Sequence, residues 1–119
     1  MESPVEIEML LYTGGSWKVD HTPGDAVYTE YKGDTIATHL LKVPLNFTCS
    51  VLHDHVRRTA GSSPFNLSYK RPMLADDPDI TFMNITIEND EDLEYHFRDH
   101  VRMQIDGGKP VELYHTVRD

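Results

Sequence analysis

Seven histidines, one cysteine and a surplus of carboxylates are the groups in this 119-residue sequence whose types and spacing bear on chemistry. His96 and His100 stand four apart, so on a helix they share a face. Asp92 and Asp99 lie nearby in sequence, and a small metal-binding protein or enzyme using His96 and His100 is one reading. A zinc centre needs three or four converging nitrogen or sulfur ligands, and this pair supplies two. Phe97 follows His96 where the zinc-protease pattern requires Glu, so that pattern is excluded. His53 and His55, two apart on a helix, point in different directions. Cys49 falls in the first turn of an expected helix, where the helix dipole lowers a thiol pKa; cysteine is also among the most often buried residues. There is no Gly-x-Ser-x-Gly element, and Gly14-Gly15 and Gly107-Gly108 lack the Lys-Ser/Thr of a phosphate loop. The balance of these observations predicts no catalysis and no cofactor.

The carboxylates point elsewhere. Eleven Lys and Arg stand against 20 Asp and Glu, a formal net charge of −9. Such a body repels a phosphate backbone, and no basic stripe counters it, so no direct nucleic-acid binding is expected. Asp76, Asp77 and Asp79 precede an expected strand, and Glu88, Asp90, Glu91 and Asp92 follow it. Folded, the two clusters converge on one surface whose field attracts Lys and Arg of a partner. Arg57, Arg58, Lys70 and Arg71, with Lys18, form a candidate basic face. Trp17 after Gly14-Gly15 reads as a plug at the end of a sheet.

These groups must be positioned by short elements separated by frequent Gly and Pro. Val5 to Tyr12 alternates at its start and reads as a strand with one buried face. Ala26 to Tyr31 is rich in strand formers, and Lys32-Gly33-Asp34-Thr35 reads as a hairpin turn into Ile36–Lys42. Thr48 caps a helix to Ala60, with Leu52 and Val56 inward and Gly61 as its stop. Phe65–Tyr69 and Ile80–Ile87 read as strands. Asn89 caps a second helix whose first turn is acidic, as its dipole favours, and whose stripe is Leu93, Phe97 and Val101. Val111 to Val117 alternates as a closing strand. The pattern predicts a single α+β domain over 1–119, a ubiquitin-like β-grasp with a mixed sheet of five to six strands, two helices, and the last strand beside the first.

With 39% hydrophobic and 26% charged residues the chain is lean but not disordered. Roughly two thirds of the unfolded surface of a chain this size is buried on folding. A lone Cys49 forms no internal disulfide. The first residues resemble neither a signal nor a transit peptide, and no run is long enough to span a membrane. An intracellular location is the expectation. Three Asn-x-Ser/Thr sequons, at Asn46, Asn66 and Asn84, matter only in a secreted chain.

Four motifs in order carry a resemblance: Tyr12-Thr13-Gly14-Gly15-Ser16-Trp17, Tyr31-Lys32-Gly33, Asn89-Asp90-Glu91-Asp92-Leu93 and Val111-Glu112-Leu113-Tyr114. Together the chain resembles, from Val5 to about Val117, the N-terminal domain of plant Mutator-like transposases and host proteins derived from them. That domain is similar to ubiquitin-like interaction modules of the Phox-and-Bem type. The resemblance implies protein–protein assembly in a nuclear context. In such modules an acidic loop and helix start on one partner meets a Lys on the first strand of the other. Here Asp76, Asp77, Asp79, Asp90, Glu91 and Asp92 would be the acidic side. The first strand carries Glu6 and Glu8 and no Lys, and Lys18 is its nearest substitute. The implied partner is therefore a separate protein with a basic surface, with weak self-association as the lesser expectation. Strand addition at an exposed edge such as Ala26–Tyr31 is a third mode.

Overall fold

A computed structural model describes residues 6–21, 27–72 and 82–118. The alternating run at the start forms β1 (Glu6–Thr13), burying Ile7, Met9 and Leu11 and turning Glu6 and Glu8 outward. β2 (Ser16–His21) and β3 (Val27–Lys32) follow, then β4 (Ala37–Pro44). Helix α1 (Cys49–Ala60) begins at Thr48, whose hydroxyl accepts the Val51 N–H, and ends where the Gly61 N–H reaches the Arg57 carbonyl. β5 (Phe65–Pro72) and β6 (Phe82–Thr86) form an antiparallel pair. The second helix covers 90–106 in three pieces: one turn, α2 (Asp90–Asp92), a π-helical stretch (Leu93–Phe97) and α3 (Arg98–Asp106). β7 (Val111–Val117) closes the chain.

Five strands form one mixed sheet in the order β4-β1-β7-β5-β6. β7 runs parallel to β1, with Leu11 opposite Leu113, while β4, β5 and β6 pair antiparallel to their neighbours. This is the α+β, ubiquitin-like β-grasp arrangement, with the last strand beside the first. The helices bury Leu52, Val56, Leu93, Phe97 and Val101 against Met9, Leu11, Leu67, Tyr69 and Leu113 on one sheet face. Large apolar side chains of this kind each contribute about 1.5–3 kcal/mol when fully buried.

One sequence expectation is corrected, and one strand is added to it. Ser16–His21, to which the sequence pattern assigns no element, is a strand. Lys32-Gly33-Asp34-Thr35 is not a hairpin turn, because β3 pairs with β2 in a separate two-stranded ribbon and β4 pairs with β1. The reason is tertiary. Ser16–His21 lacks clean apolar alternation, and its pairing is completed by aromatic packing on the far face of the main sheet. The π-helical stretch likewise has no signature in the Leu93, Phe97, Val101 spacing, which fits an ordinary helix.

Tyr31 and Trp17 fasten the ribbon to the sheet. The Tyr31 hydroxyl donates to the His115 carbonyl at 2.6 Å and accepts the Gly15 N–H at 2.9 Å. Trp17 packs edge-on against Tyr31 and Tyr114, and its Nε1–H donates to the Ser68 hydroxyl at 3.1 Å. Trp17 thus lies half-buried against the far face of the sheet rather than plugging its end. The staple leaves no room for side chains on nearby glycines. A Cβ on Gly15 would lie 2.6 Å from the Tyr31 ring, and one on Gly33 would lie 2.5 Å from the Gly14 carbonyl oxygen. Glu112 secures the same region by accepting the Tyr12 and Tyr114 hydroxyls, whose rings stack at 5.1 Å. Burial, and then the Glu112 charge, raise both phenol pKa values.

On the helix side of β7 lies His115, 5% exposed and stacked on Phe65 at 4.9 Å. Its Nδ1 has no hydrogen-bond partner among the described residues. Burial lowers its pKa below the ordinary 6.5, because the charged ring is poorly solvated there.

Two outcomes follow from this packing. Gly15→Ala should destabilise the chain by about 1–3 kcal/mol through overpacking, and Tyr31→Phe by about 1–3 kcal/mol through a buried carbonyl left without its donor; urea unfolding of both variants checks this. His115 favours its neutral form in the folded state. Its contribution is therefore complete above pH 6.5 and is lost as pH falls from there through the lower folded value. Unfolding curves across that range should show a component that His115→Phe removes.

Candidate interaction surface

The acids that follow β6 are drawn into folding before they meet anything else. Asn89 Oδ1 accepts the Asp92 N–H at 2.9 Å, and Asp92 Oδ2 returns to accept the Glu88 N–H at 3.1 Å. This reciprocal pair satisfies donors that a helix start leaves open. Asp90 reaches across to the other helix, where its Oδ1 accepts the Cys49 N–H at 2.8 Å. The two helix starts are thereby tied together, and a carboxylate sits at the positive end of α1. Glu91, between them, is exposed and makes no ion pair among the described residues.

A polar cleft of 360 Å³ opens where these two starts meet. Asp54, Glu88 and Asp90 line it, with His53 and Arg57. The His53 Nε2 lies 3.0 Å from the Ile87 carbonyl, and since a carbonyl only accepts, this nitrogen carries the proton. Arg57 Nη1 pairs with Asp54 at 2.8 Å, and Arg118 Nη2 lies 3.9 Å from Glu88. These pairs are about half exposed, a setting in which an ion pair contributes only about 0–1 kcal/mol.

Of the acidic residues read from the sequence, Asp90, Glu91 and Asp92 lie together, with Glu88 beside them. Asp76, Asp77 and Asp79 lie outside the described residues. The basic set is dispersed. Arg57 stands on the rim of the acidic cleft, paired to Asp54, and Arg58 is exposed on the same helix. Lys70 belongs to the opposite face of the sheet, its ammonium 5.8 Å from the Trp17 ring centre and 5.2 Å from that of Tyr114. Lys18 is exposed on β2. Arg71 belongs to β5, and its side chain lies outside the described residues. The fold does not gather Lys18, Arg57, Arg58 and Lys70 into one patch, because α1 covers one face of the sheet and the ribbon covers the other.

Of the His96 and His100 pair, the His96 side chain lies outside the described residues. His100 packs against Tyr69 at 4.7 Å and Phe97 at 6.2 Å. Among the described residues no group of three or more His, Cys, Asp and Glu is arranged to hold a metal ion. Cys49 is buried, and its thiol pKa is raised, first by burial and then by Asp90 and Asp92. The expected lowering by the helix dipole is overturned by those two carboxylates and by desolvation. Two participants escaped the sequence reading, Asp54 and His53. Asp54 had a local signal in its i, i+3 spacing to Arg57; the contact of His53 with Ile87 has none.

Compared with family models, with curated proteins and with solved structures, the chain matches none. No described helix is long and apolar enough to cross a membrane.

A raised thiol pKa has a direct readout. Cys49 should react with a thiol reagent at neutral pH at least tenfold more slowly than a free cysteine peptide. Asp90→Asn should speed that reaction by removing a nearby negative charge and loosening the start of α1. Stopped-flow labelling of the folded chain checks both rates.

Proposed function

We propose that this domain is a protein–protein assembly module that binds a basic partner through the acidic surface at the meeting of its two helix starts. Asp90, Glu91 and Asp92 are its centre, with Glu88 and Asp54 beside them; Asp76, Asp77 and Asp79 precede the same strand in sequence. The observation that carries this reading is the convergence of carboxylates from two separate segments on one cleft. Asp90 and Asp92 are held by backbone N–H groups while Glu91 is exposed between them. Two fixed charges and one free charge suit a surface that steers a cationic partner and then locks its register. Carboxylates held this way lose little freedom on binding.

The four sequence motifs support the finer reading that the chain is the N-terminal domain of a transposase-derived protein acting in the nucleus. All four take part in the fold: Gly15 and Tyr31 meet in the ribbon staple, Tyr114 packs beside them, and Asn89 to Asp92 form the capped helix start. No catalytic role is proposed, and neither is direct contact with nucleic acid, which the net charge of −9 disfavours.

The test is binding of a Lys/Arg-rich peptide to the full chain, followed by fluorescence anisotropy at low and moderate salt. Affinity should fall with salt, and Glu91→Gln should weaken it about two- to fivefold, the range expected of one exposed charge. Glu91→Lys should weaken it further at a small cost in stability, about 0.3–1 kcal/mol. Glu91 makes no ion pair among the described residues, and only its charge meets the helix dipole. Equal binding by wild type and Glu91→Lys at both salt concentrations would refute the reading.

A further inference from the structure

The C-terminal half of the second helix borders a groove of opposite character. Its volume is 390 Å³, and Ile7, Leu45, Phe47, Val101 and Ile105 line it. Val101, Ile7 and Phe47 belong to the core, but Leu45 and Ile105 are each 49% exposed. Arg98, Arg102 and Asp106 also line it; at i, i+4 and i+8 on α3 they form a rim along one side.

The two arginines are in different states. Arg98 is already committed: its guanidinium pairs with Glu94, donates to the Phe47 carbonyl at 2.7 Å and lies over the Phe47 ring. It therefore builds the wall. Arg102 is exposed and, among the described residues, makes no ion pair or hydrogen bond. In a chain of net charge −9, an unpaired guanidinium beside half-exposed Leu and Ile side chains is a local inversion of the surface. Arg also presents a planar fork that matches a carboxylate in two places.

We propose that this groove is a docking site for an acidic peptide segment of a partner protein, one with a large apolar anchor side chain beside a carboxylate. The anchor covers Leu45 and Ile105, and the carboxylate pairs with Arg102. At 390 Å³ the groove lies at the small end of the roughly 300–1,000 Å³ typical of ligand pockets, a size suited to one or two side chains. Asp106, one turn beyond Arg102, repels a second acid there and so gives the bound segment a direction. No residue lines both this groove and the acidic cleft. The module thus has two sockets of opposite preference, and failure of one leaves the other standing.

The test uses the full chain and two fluorescent peptides with the same Leu-Phe anchor, one flanked by Glu and one by Lys. The Glu-flanked peptide should bind at least tenfold more tightly than the Lys-flanked one in anisotropy. Arg102→Glu should cost it about tenfold, and Ile105→Asp a similar factor. Both variants should keep the wild-type circular dichroism spectrum, because both side chains are exposed. Amide shifts on peptide addition should map to Leu45, Phe47 and Arg102 and leave Glu91 unmoved. Equal binding of the two peptides, no binding of the Glu-flanked one at millimolar concentration, or indifference to Arg102→Glu would overturn the proposal. So would concentration-dependent self-association of the chain that the Glu-flanked peptide displaces, since the occupant would then be a second copy.

Discussion

The Tyr31 hydroxyl is the contact on which the upper half of the molecule depends. A two-stranded ribbon alone is marginally stable in water. Here it lies on the back of a sheet whose other face is already occupied by helices, and it needs both a fixed position and a covered aromatic surface. One hydroxyl supplies the position by donating to the His115 carbonyl of β7 and accepting the Gly15 N–H. The side chains of Trp17, Tyr31 and Tyr114 supply the surface. The absence of side chains at Gly15 and Gly33 then follows from space, since the ring and backbone already fill it. Lys70 caps the aromatic group with a cation, a use of positive charge that serves packing and removes it from any basic patch.

At the other end of the sheet the governing constraint is helix capping. Two helices start side by side, and their unpaired N–H groups call for acceptors. Thr48, Asn89, Asp90 and Asp92 meet that demand. The acids of the proposed interaction surface are therefore placed by the fold itself, and the surface inherits their rigidity. Glu91 is the member with no such duty. Burial first, and then Asp90 and Asp92, raise the Cys49 thiol pKa. A helix start that would activate a thiol in neutral surroundings here does the reverse.

The charge distribution gives the molecule its polarity. Acids crowd the helix starts, while Arg98 and Arg102 flank an apolar groove further along the second helix. The helix dipole favours the carboxylates at its N-terminal end, whereas the two guanidinium groups lie before its last turn, which carries no basic residue. One element therefore carries two chemically opposed surfaces. Arg98 shows how closely the second of them is tied to the core, since its guanidinium holds the Phe47 carbonyl and covers the Phe47 ring.

Local periodicity and capping chemistry alone determined most of the elements of this protein. The inward sets Ile7, Met9, Leu11 and Leu93, Phe97, Val101, and the caps Thr48 and Asn89, can be read directly because each depends on neighbours within four residues. The β-grasp order and the place of β7 beside β1 follow from those elements and from general rules of connection. Only the tertiary structure decided that Ser16–His21 is a strand, that β4 pairs with β1 rather than with β3, and that Lys70 and Arg57 lie on opposite faces of the sheet. It also joined Asp90 to Cys49, across 41 positions of sequence, and Tyr31 to His115, across 84. Such contacts leave no periodic trace, because their partners are chosen by which faces remain uncovered once the helices have packed.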